Sequence, residues 1–248
     1  MNGGNTRDFK KILRKEMKQT LTLFHENLSE REKDSLTENL TEKITVLDEY
    51  KNSPLILAYI PDKLEADCRP VISDALKKGK KVAVPKVDFE ALKEGRSEMN
   101  FYFLEEGKSL EDQLESGAYG ILEPKADLKK LDWSLESTPK TQGVEARPET
   151  RGVAGQKAGE GCPAEGVAEN RKAGWSEGET SPFMLVPGVA FTKDGKRLGH
   201  GKGFYDIYIE KLQKAGLKPY LCALALPCQI VTDLATDKHD ILMDRVIF

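Results

Sequence analysis

The sequence predicts an α/β fold: a single three-layer, Rossmann-like domain with a mostly parallel sheet. Two observations lead to this prediction. Short apolar runs of strand length alternate with amphipathic segments at helical spacing, and loops containing glycine and proline join them. In addition, the runs Leu55–Ile60 and Lys81–Pro85 flank a helical segment that ends near Gly79. Such a strand–helix–strand unit favours a parallel pair of strands, because antiparallel neighbours need only a tight turn.

Two amphipathic helices are predicted before the first strand. The first has basic residues interleaved with an apolar stripe at helical spacing. The stripe consists of Phe9, Ile12, Leu13, Met17, Leu21, Phe24 and Leu28. The second helix begins at Ser29, where Glu32 completes a capping box, and its buried face is predicted to run from Leu36 to Leu47.

The remaining elements follow the same alternation. Asp67 is predicted to cap the helix that ends near Gly79. The later strands are predicted at Asn100–Leu104, Phe183–Phe191, Pro219–Leu226 and Met243–Phe248, with a helix at Phe204–Ala215 before the last two. A short turn or helix is predicted before the segment Tyr119–Pro124. These elements are expected to form one domain from residues 1–136 and 182–248.

Residues 137–181 differ in composition from the rest of the chain. They contain no Leu, Ile, Phe, Met or Tyr and are dense in Gly, Glu, Ala and Lys. Because such a segment cannot bury enough apolar surface to offset the entropy of ordering, we expect a low-complexity, disordered insertion.

Charge and cysteine content exclude several classes of partner. The 248 residues carry 38 Lys and Arg against 41 Asp and Glu, for a formal net charge of −3. Since the two signs are mixed, we expect no nucleic-acid partner, and no apolar stretch is long enough to span a membrane. The four cysteines show neither CxxC nor metal-like spacing. We therefore expect reduced thiols in a cytoplasmic protein. We also expect a monomer.

The segment Asp194–Asp206, DGKRLGHGKGFYD, carries the strongest functional signal. Its glycines at alternate positions are Gly199, Gly201 and Gly203. They permit positive φ and let successive backbone N–H groups turn toward one anion. The helix that starts just beyond them supplies further free N–H donors.

Charged side chains surround these glycines. Arg197, His200 and Lys202 can neutralise a polyphosphate. Asp206 would stand next to that anion, and a carboxylate beside phosphates indicates a metal ion between them. The loop is neither a Walker A motif nor a dinucleotide-binding fingerprint. A tight glycine turn with scattered surface charge is the simpler alternative.

These motifs together resemble the 5-formyltetrahydrofolate cyclo-ligase family, also called methenyltetrahydrofolate synthetases. The resemblance rests on Pro187–Asp206, Lys10–Glu16, Leu64–Asp67, Gly120–Pro124 and His239–Asp240, which occur in the family's order. It implies a ligase of one-carbon metabolism. Such an enzyme uses ATP and Mg²⁺ to cyclise 5-formyltetrahydrofolate to 5,10-methenyltetrahydrofolate, with release of ADP and phosphate.

The resemblance also implies roles for individual residues. The ATP-binding positions are Lys10, Lys11, Arg14, Arg197, Leu198, Gly199, His200, Gly201, Lys202, Gly203, Phe204 and Tyr205. The substrate-binding positions are Tyr59, Ile60, Glu65, His200, Gly201, Lys202, Gly203 and Phe204. Arg14 and Lys202 match the catalytic cations, and Asp206 and Asp240 match the magnesium ligands.

The roles of three other residues stay open. Met99 and Phe101 form either an apolar wall of the substrate site or part of the core, and Glu123 is a weaker polar candidate in the cleft. The spacing of four between Lys10 and Arg14 places both on one helix face, which a solvated basic stripe would also explain.

Two other function classes remain open. An enzyme acting on phosphate esters or acyl-CoA on a similar sheet would need a carboxylate base or nucleophile, and no separate constellation suggests one. A non-catalytic relative that binds a nucleotide or a folate without turnover would keep the same residues.

Overall fold

The computed structural model describes residues 3–117, 120–133, 181–237 and 240–248. Its helices are α1 (Gly3–Asn27), α2 (Glu30–Thr45), α3 (Asp48–Asn52), α4 (Arg69–Lys77), α5 (Phe89–Lys93) and α6 (Phe204–Lys214). The predicted insertion at 137–181 lies almost wholly outside the described residues and stays a prediction. None of the described helices has the length and apolarity that a bilayer crossing requires.

Ten strands are described, six of which form the central sheet. They are β1 (Leu55–Leu57), β2 (Lys81–Val87), β3 (Met99–Phe103), β4 (Leu114–Ser116), β5 (Leu122–Pro124), β6 (Phe183–Val186), β7 (Ala190–Phe191), β8 (Arg197–Leu198), β9 (Tyr220–Leu224) and β10 (Arg245–Ile247). The central order is β10-β9-β6-β1-β2-β3, while β4 pairs with β5 and β7 with β8.

The central sheet is parallel apart from one edge. β1 pairs in parallel with both β2 and β6, and β6 and β9 continue the parallel arrangement to β10. Only the β2–β3 pair of this sheet is antiparallel. The predictions of a mostly parallel sheet and of a parallel first pair are therefore confirmed.

Helices cover both faces of this sheet. Ile56 and Leu185 belong to a core cluster that also contains residues of α2 and α4. Their neighbours on the same strands, Leu57 and Met184, belong to the cluster on the opposite face, which contains Ile209 of α6. Because successive strand residues point to opposite faces, each parallel strand is apolar throughout, as a sheet buried on both sides requires. The predicted three layers are confirmed.

The predicted apolar stripe of α1 is wrong at its N-terminal end. Phe9 and Ile12 are 48% and 58% exposed, whereas Lys10 is only 8% exposed. The inward face here carries Lys10 and Arg14 and continues into the buried Met17. This half of the helix lies over a polar cleft, not over the core, so its inward residues are cations.

Several other boundaries differ from the predictions, and the strand predicted at Phe183–Phe191 is divided between β6 and β7. α4 begins after Cys68, so Asp67 is not its N-cap, although its Oδ1 still accepts the Arg69 N–H at 2.9 Å. The apolar run that was predicted as one strand to Ile60 leaves the sheet after Leu57. The capping box at Ser29 is confirmed.

Candidate active site

A cleft of about 610 Å³ opens beside the carboxyl ends of β1 and β6. From β1 the chain continues to β2 on one side, and from β6 it continues to β9 on the other. This is the switch point at which open parallel sheets bind ligands. The volume lies within the range of roughly 300–1,000 Å³ that small-molecule sites occupy.

All the residues to which the resemblance assigns a role, except one, line this cleft. They come from α1, from the segment after β1, from the glycine loop and from the segment before β10. The exception is Lys11, which is exposed on α1 and is not among the lining residues. The structure thus brings together residues up to 230 positions apart in sequence.

The glycine loop at Gly199–Gly203 needs its glycines for two different reasons. Gly201 and Gly203 have φ of +95° and +72°, as the sequence predicts. A Cβ at Gly199 would lie 2.9 Å from Arg197 Nη1, and one at Gly201 would lie 3.2 Å from Arg14 Cζ. The loop therefore combines left-handed backbone with close packing of two guanidinium groups.

The loop runs directly into the N-terminus of α6. Gly203 is the residue before the helix, and no side chain caps the first turn. Phe204, Tyr205 and Asp206 of that turn all line the cleft. Because the first N–H groups of a helix have no intrahelical acceptor, this turn offers an anion several donors and a positive dipole end.

The two α1 cations make different contacts. Lys10 Nζ donates to Asp237 Oδ2 at 2.8 Å and to Asp240 Oδ2 at 2.5 Å. Burial opposes its charge, but these two hydrogen bonds outweigh burial and raise the pKa of Lys10. Arg14 Nε donates to the carbonyl of Gly199 at 2.8 Å. Burial lowers the pKa of Arg14, and the charge of Asp240 opposes this effect.

Arg197 lies behind the glycine loop. Only 4% of its side chain is exposed. Its Nη1 donates to the carbonyl of Pro187 at 3.0 Å, and its Nη2 donates to Asp206 Oδ1 at 2.7 Å. Its Nε is buried and has no hydrogen-bond partner in the described part of the chain. Through these contacts Arg197 holds the start of α6 against the end of β6.

The two predicted metal carboxylates both lie in the cleft, and each is paired with a cation. Asp206 pairs with Arg197 through Oδ1, and Asp240 pairs with Lys10 through Oδ2, which also accepts the Asp237 N–H at 2.6 Å. Within the described residues, these hydrogen bonds engage one oxygen of each carboxylate. The described ranges hold no group of three His, Cys, Asp or Glu arranged around one metal ion.

The substrate candidates after β1 form a second corner of the cleft. Tyr59 is 2% exposed, and its hydroxyl donates to the carbonyl of Ala66 at 2.6 Å. Glu65 accepts the Asp62 N–H at 3.0 Å and faces His200 Nε2 at 3.1 Å. The hydrogen bond that the protonated imidazole donates to Glu65 raises the pKa of His200 despite partial burial. This pair joins the glycine loop to the segment after β1.

An apolar wall that the sequence analysis largely missed closes the far side. It consists of Pro85, Val87, Leu92, Met99, Ile121 and Leu122. Met99 lines the cleft and also belongs to a buried core cluster, so both of its interpretations stay open. Phe101 instead packs in the core against Tyr208, with ring centroids 4.9 Å apart. Glu123 also lines the cleft and is 6% exposed.

Three charged lining residues were also missed: Arg7, Asp62 and Asp237. Arg7 lies three and seven residues before Lys10 and Arg14, so extending the same helix face would have found it. No local pattern marks Asp237, which reaches Lys10 only through the tertiary fold.

Comparison with known proteins agrees with this arrangement. The model of the 5-formyltetrahydrofolate cyclo-ligase family matches residues 6–137 and 155–248. The 5-formyltetrahydrofolate cyclo-ligase of Mus musculus is 28% identical over 240 residues, which cover 96% of this chain and 93% of that protein. The Saccharomyces cerevisiae protein of that name is 40% identical over 74 residues, or 29% of this chain and 35% of its own length.

A solved structure shows the same architecture. The NMR structure of Aquifex aeolicus 5,10-methenyltetrahydrofolate synthetase is similar with a TM-score of 0.58 at 25% identity, covering 95% of this chain and 89% of that one. The family match spans most of the chain, including the glycine loop and the α1 cations. The chain therefore belongs to the 5-formyltetrahydrofolate cyclo-ligase family.

Proposed function

We propose that this protein cyclises 5-formyltetrahydrofolate to 5,10-methenyltetrahydrofolate with hydrolysis of ATP to ADP and phosphate. One observation carries the proposal: a single cleft is lined at one end by the glycine loop and its cations and at the other by an apolar wall. A polyphosphate fits the first end, and a flat, largely apolar ring system fits the second.

The chemistry explains why both ligands must share one cleft. The formamide of 5-formyltetrahydrofolate is a poor electrophile, and its oxygen is a poor leaving group. Transfer of the ATP γ-phosphoryl group to the formyl oxygen forms an O–P bond and releases ADP. The N10 amine then attacks the formyl carbon, loses its proton and expels phosphate, which leaves the methenyl cation. No covalent enzyme nucleophile is needed, so the protein acts by alignment and charge stabilisation.

The cations of the cleft suit this task. Arg14 is held by the Gly199 carbonyl through Nε, which leaves its other guanidinium N–H groups for phosphate oxygens. Lys202 is exposed in the glycine loop and lines the cleft. With the N–H groups of the loop and of the first α6 turn, these two side chains stabilise the charge that develops during phosphoryl transfer.

Asp206 and Asp240 would hold the Mg²⁺ that accompanies ATP. Both are hard oxygen donors in the same cleft, and described hydrogen bonds engage one oxygen of each. Two carboxylates suit Mg²⁺, which usually takes one or two from the protein and fills its octahedron with phosphate oxygens and water. When bound, the ion neutralises phosphate charge. Lys10 and Arg197 hold the two carboxylates in place.

The folate would lie between the segment after β1 and the apolar wall. Tyr59, Ile60 and Glu65 contribute the first side, with Glu65 held by its contacts to Asp62 and His200. The substrate class includes polyglutamylated forms. We also propose that the protein acts as a monomer in the cytoplasm. The three cysteines in the described part of the chain are free thiols, which suits a reducing compartment.

An absorbance assay for the methenyl product tests the proposal. The protein should form the methenyl chromophore from 5-formyltetrahydrofolate only when ATP and Mg²⁺ are both present, with one ADP and one phosphate per turnover. Lys202→Ala should lower kcat/KM for ATP by about a hundredfold, the usual effect of removing one electrostatic donor. Lys211→Ala, which removes an exposed lysine from the far end of α6, should leave the rate unchanged.

The same experiment separates the alternatives. A non-catalytic relative would bind Mg·ATP or the folate but form no chromophore. An enzyme acting on phosphate esters or acyl-CoA would show no folate dependence. Equal rates for Lys202→Ala and the unmodified protein would remove Lys202 from the proposed mechanism.

A further inference from the structure

The apolar half of the cleft contains a buried carboxyl group that no step of the proposed reaction uses. Glu123 lies on β5 and is 6% exposed. It lines the cleft together with Val87, Met99 and Leu122, which are apolar. Desolvation raises the pKa of this carboxyl group.

Backbone groups lie on two sides of the carboxyl group. The backbone of Val87, at the end of β2, faces it and lowers its pKa, which opposes the larger effect of desolvation. On the other side it lies against Gly117, where a Cβ would come within 2.5 Å of Glu123 Cγ, Cδ and Oε2. Since any side chain at Gly117 would displace the carboxyl group, its position depends on bare backbone there.

No cation is paired with Glu123 within the described residues. The nearby Lys86 donates instead to Glu115 Oε1 at 2.8 Å and to the carbonyl of Pro124 at 2.8 Å. Burying a carboxylate without an ion pair opposes folding, because the charge loses its hydration. Buried charged groups that line a cleft without an ion pair are often functional. A carboxylate in this position suits a ligand with N–H donors.

The pterin ring of a folate presents such donors. Its 2-amino group and its N3–H lie side by side on one edge, so a carboxylate can accept both in a fork. The rest of the ring is flat and suits the apolar wall. Adenine does not match in this way, because its amino group neighbours a ring nitrogen that accepts hydrogen bonds. A carboxylate would attract the amino group of adenine and repel the neighbouring ring nitrogen.

We propose that Glu123 is a specificity-determining residue, which binds the 2-amino and N3–H edge of the pterin ring. The proposal rests on the proposed function, since it assigns one end of the same cleft to the folate. With this edge at β5, the rest of the folate extends toward the glycine loop, where the phosphates of ATP are proposed to bind.

Direct binding of 5-formyltetrahydrofolate without ATP tests the assignment, with Glu123→Gln as the variant. Glutamine keeps the size of the side chain and an acceptor oxygen for the Val87 backbone, so the fold should be retained. The dissociation constant should rise roughly ten- to a hundredfold, the usual effect of losing a charged, forked hydrogen bond. KM for ATP should not change.

Two controls sharpen the result. Glu115 is the register partner of Glu123 on β4 but does not line the cleft, so Glu115→Gln should bind the folate normally. The analogue of 5-formyltetrahydrofolate with a methyl group in place of the 2-amino group should bind weakly to the unmodified protein. Glu123→Gln should weaken this analogue little further, because the forked contact is already lost.

Several outcomes would overturn the assignment. Glu123→Gln could leave the folate affinity unchanged, or it could weaken binding of the 2-methyl analogue as much as binding of the folate. It could also change KM for ATP more than the dissociation constant of the folate. Failure of the proposed function is distinguishable. If the unmodified protein binds the folate but forms no methenyl product, the proposed reaction is wrong, while the binding comparison still decides the role of Glu123. If the unmodified protein binds no folate, both proposals fail.

Discussion

Replacing Arg14 with alanine removes a contact on which the geometry of the glycine loop depends. Arg14 Nε donates to the carbonyl of Gly199 at 2.8 Å, and its guanidinium carbon would lie 3.2 Å from a Cβ at Gly201. The side chain thus packs on the loop that is proposed to bind the phosphates. Its removal should affect both the loop conformation and the charge in the cleft.

The magnitudes follow from these contacts. A hydrogen bond involving a charged group contributes about 1.5–3 kcal/mol when buried, and Arg14 is only half-buried, so we expect a loss of about 1 kcal/mol in unfolding free energy. The loss of transition-state stabilisation should be larger, about 3–4 kcal/mol, because the positive charge is proposed to face the transferring phosphoryl group. This corresponds to a decrease in kcat/KM for ATP of roughly a hundred- to a thousandfold.

Initial rates of methenyl formation at varied ATP and saturating folate measure the effect, with urea unfolding as the check on stability. Arg14→Lys should restore little of the activity, because one ammonium group cannot bond the Gly199 carbonyl and a phosphate in the same forked geometry. Lys18→Ala, an exposed lysine on the same helix, is the matched control. A folded Arg14→Ala variant within about threefold of the unmodified kcat/KM would refute the reasoning.

Two further predictions concern the glycine loop. Gly201→Ala should raise KM for ATP about tenfold, because the methyl group would displace Arg14. The control is Gly216→Ala, since Gly216 has a similar φ of +79° but a Cβ there would meet no atom within 4 Å. This variant should lose about 1–2 kcal/mol of unfolding free energy and leave KM for ATP unchanged. The His200 pKa is raised above its ordinary value of about 6.5, so the pair with Glu65 stabilises the fold at mildly acidic pH, and this contribution is lost as pH rises through the raised pKa. Since the His200 side chain is 54% exposed, we expect less than about 1 kcal/mol, measured by urea unfolding from mildly acidic to mildly alkaline pH, with His200→Gln lacking this pH-dependent component.

Each result has a contrary outcome. An equal rise in KM for the Gly201 and Gly216 variants would show that general strain, not displacement of Arg14, is responsible. A pH dependence that survives in His200→Gln would assign it to another group.

The local parts of the fold could be predicted because short-range patterns determine them. The capping box at Ser29, the helix after Gly203 and the apolar parallel strands all follow from residues within a few positions of one another. The N-terminal half of α1 could not be predicted in this way. Its spacing favoured Phe9 and Ile12 as inward residues, but the inward face is set by the cleft beneath it, so Lys10 is buried instead.

The candidate site could likewise be predicted only in part. The glycine loop and its cations are contiguous in sequence, so their chemistry could be inferred from residue types alone. Asp237 reaches Lys10 from the far end of the chain, and Glu123 lies beside Val87 and Gly117, which belong to other segments. Such environments depend on packing between elements, which no local pattern encodes.

Local sequence patterns were enough to predict the alternation of strands and helices, the left-handed turns of the glycine loop and the family to which they point, because backbone conformation and amphipathic spacing are local properties. Long-range packing sets which side of α1 faces inward, which carboxylate pairs with which cation and where the Glu123 carboxyl group is buried. These depend on the distances and solvent exclusion that arise when remote segments meet at the ends of β1 and β6.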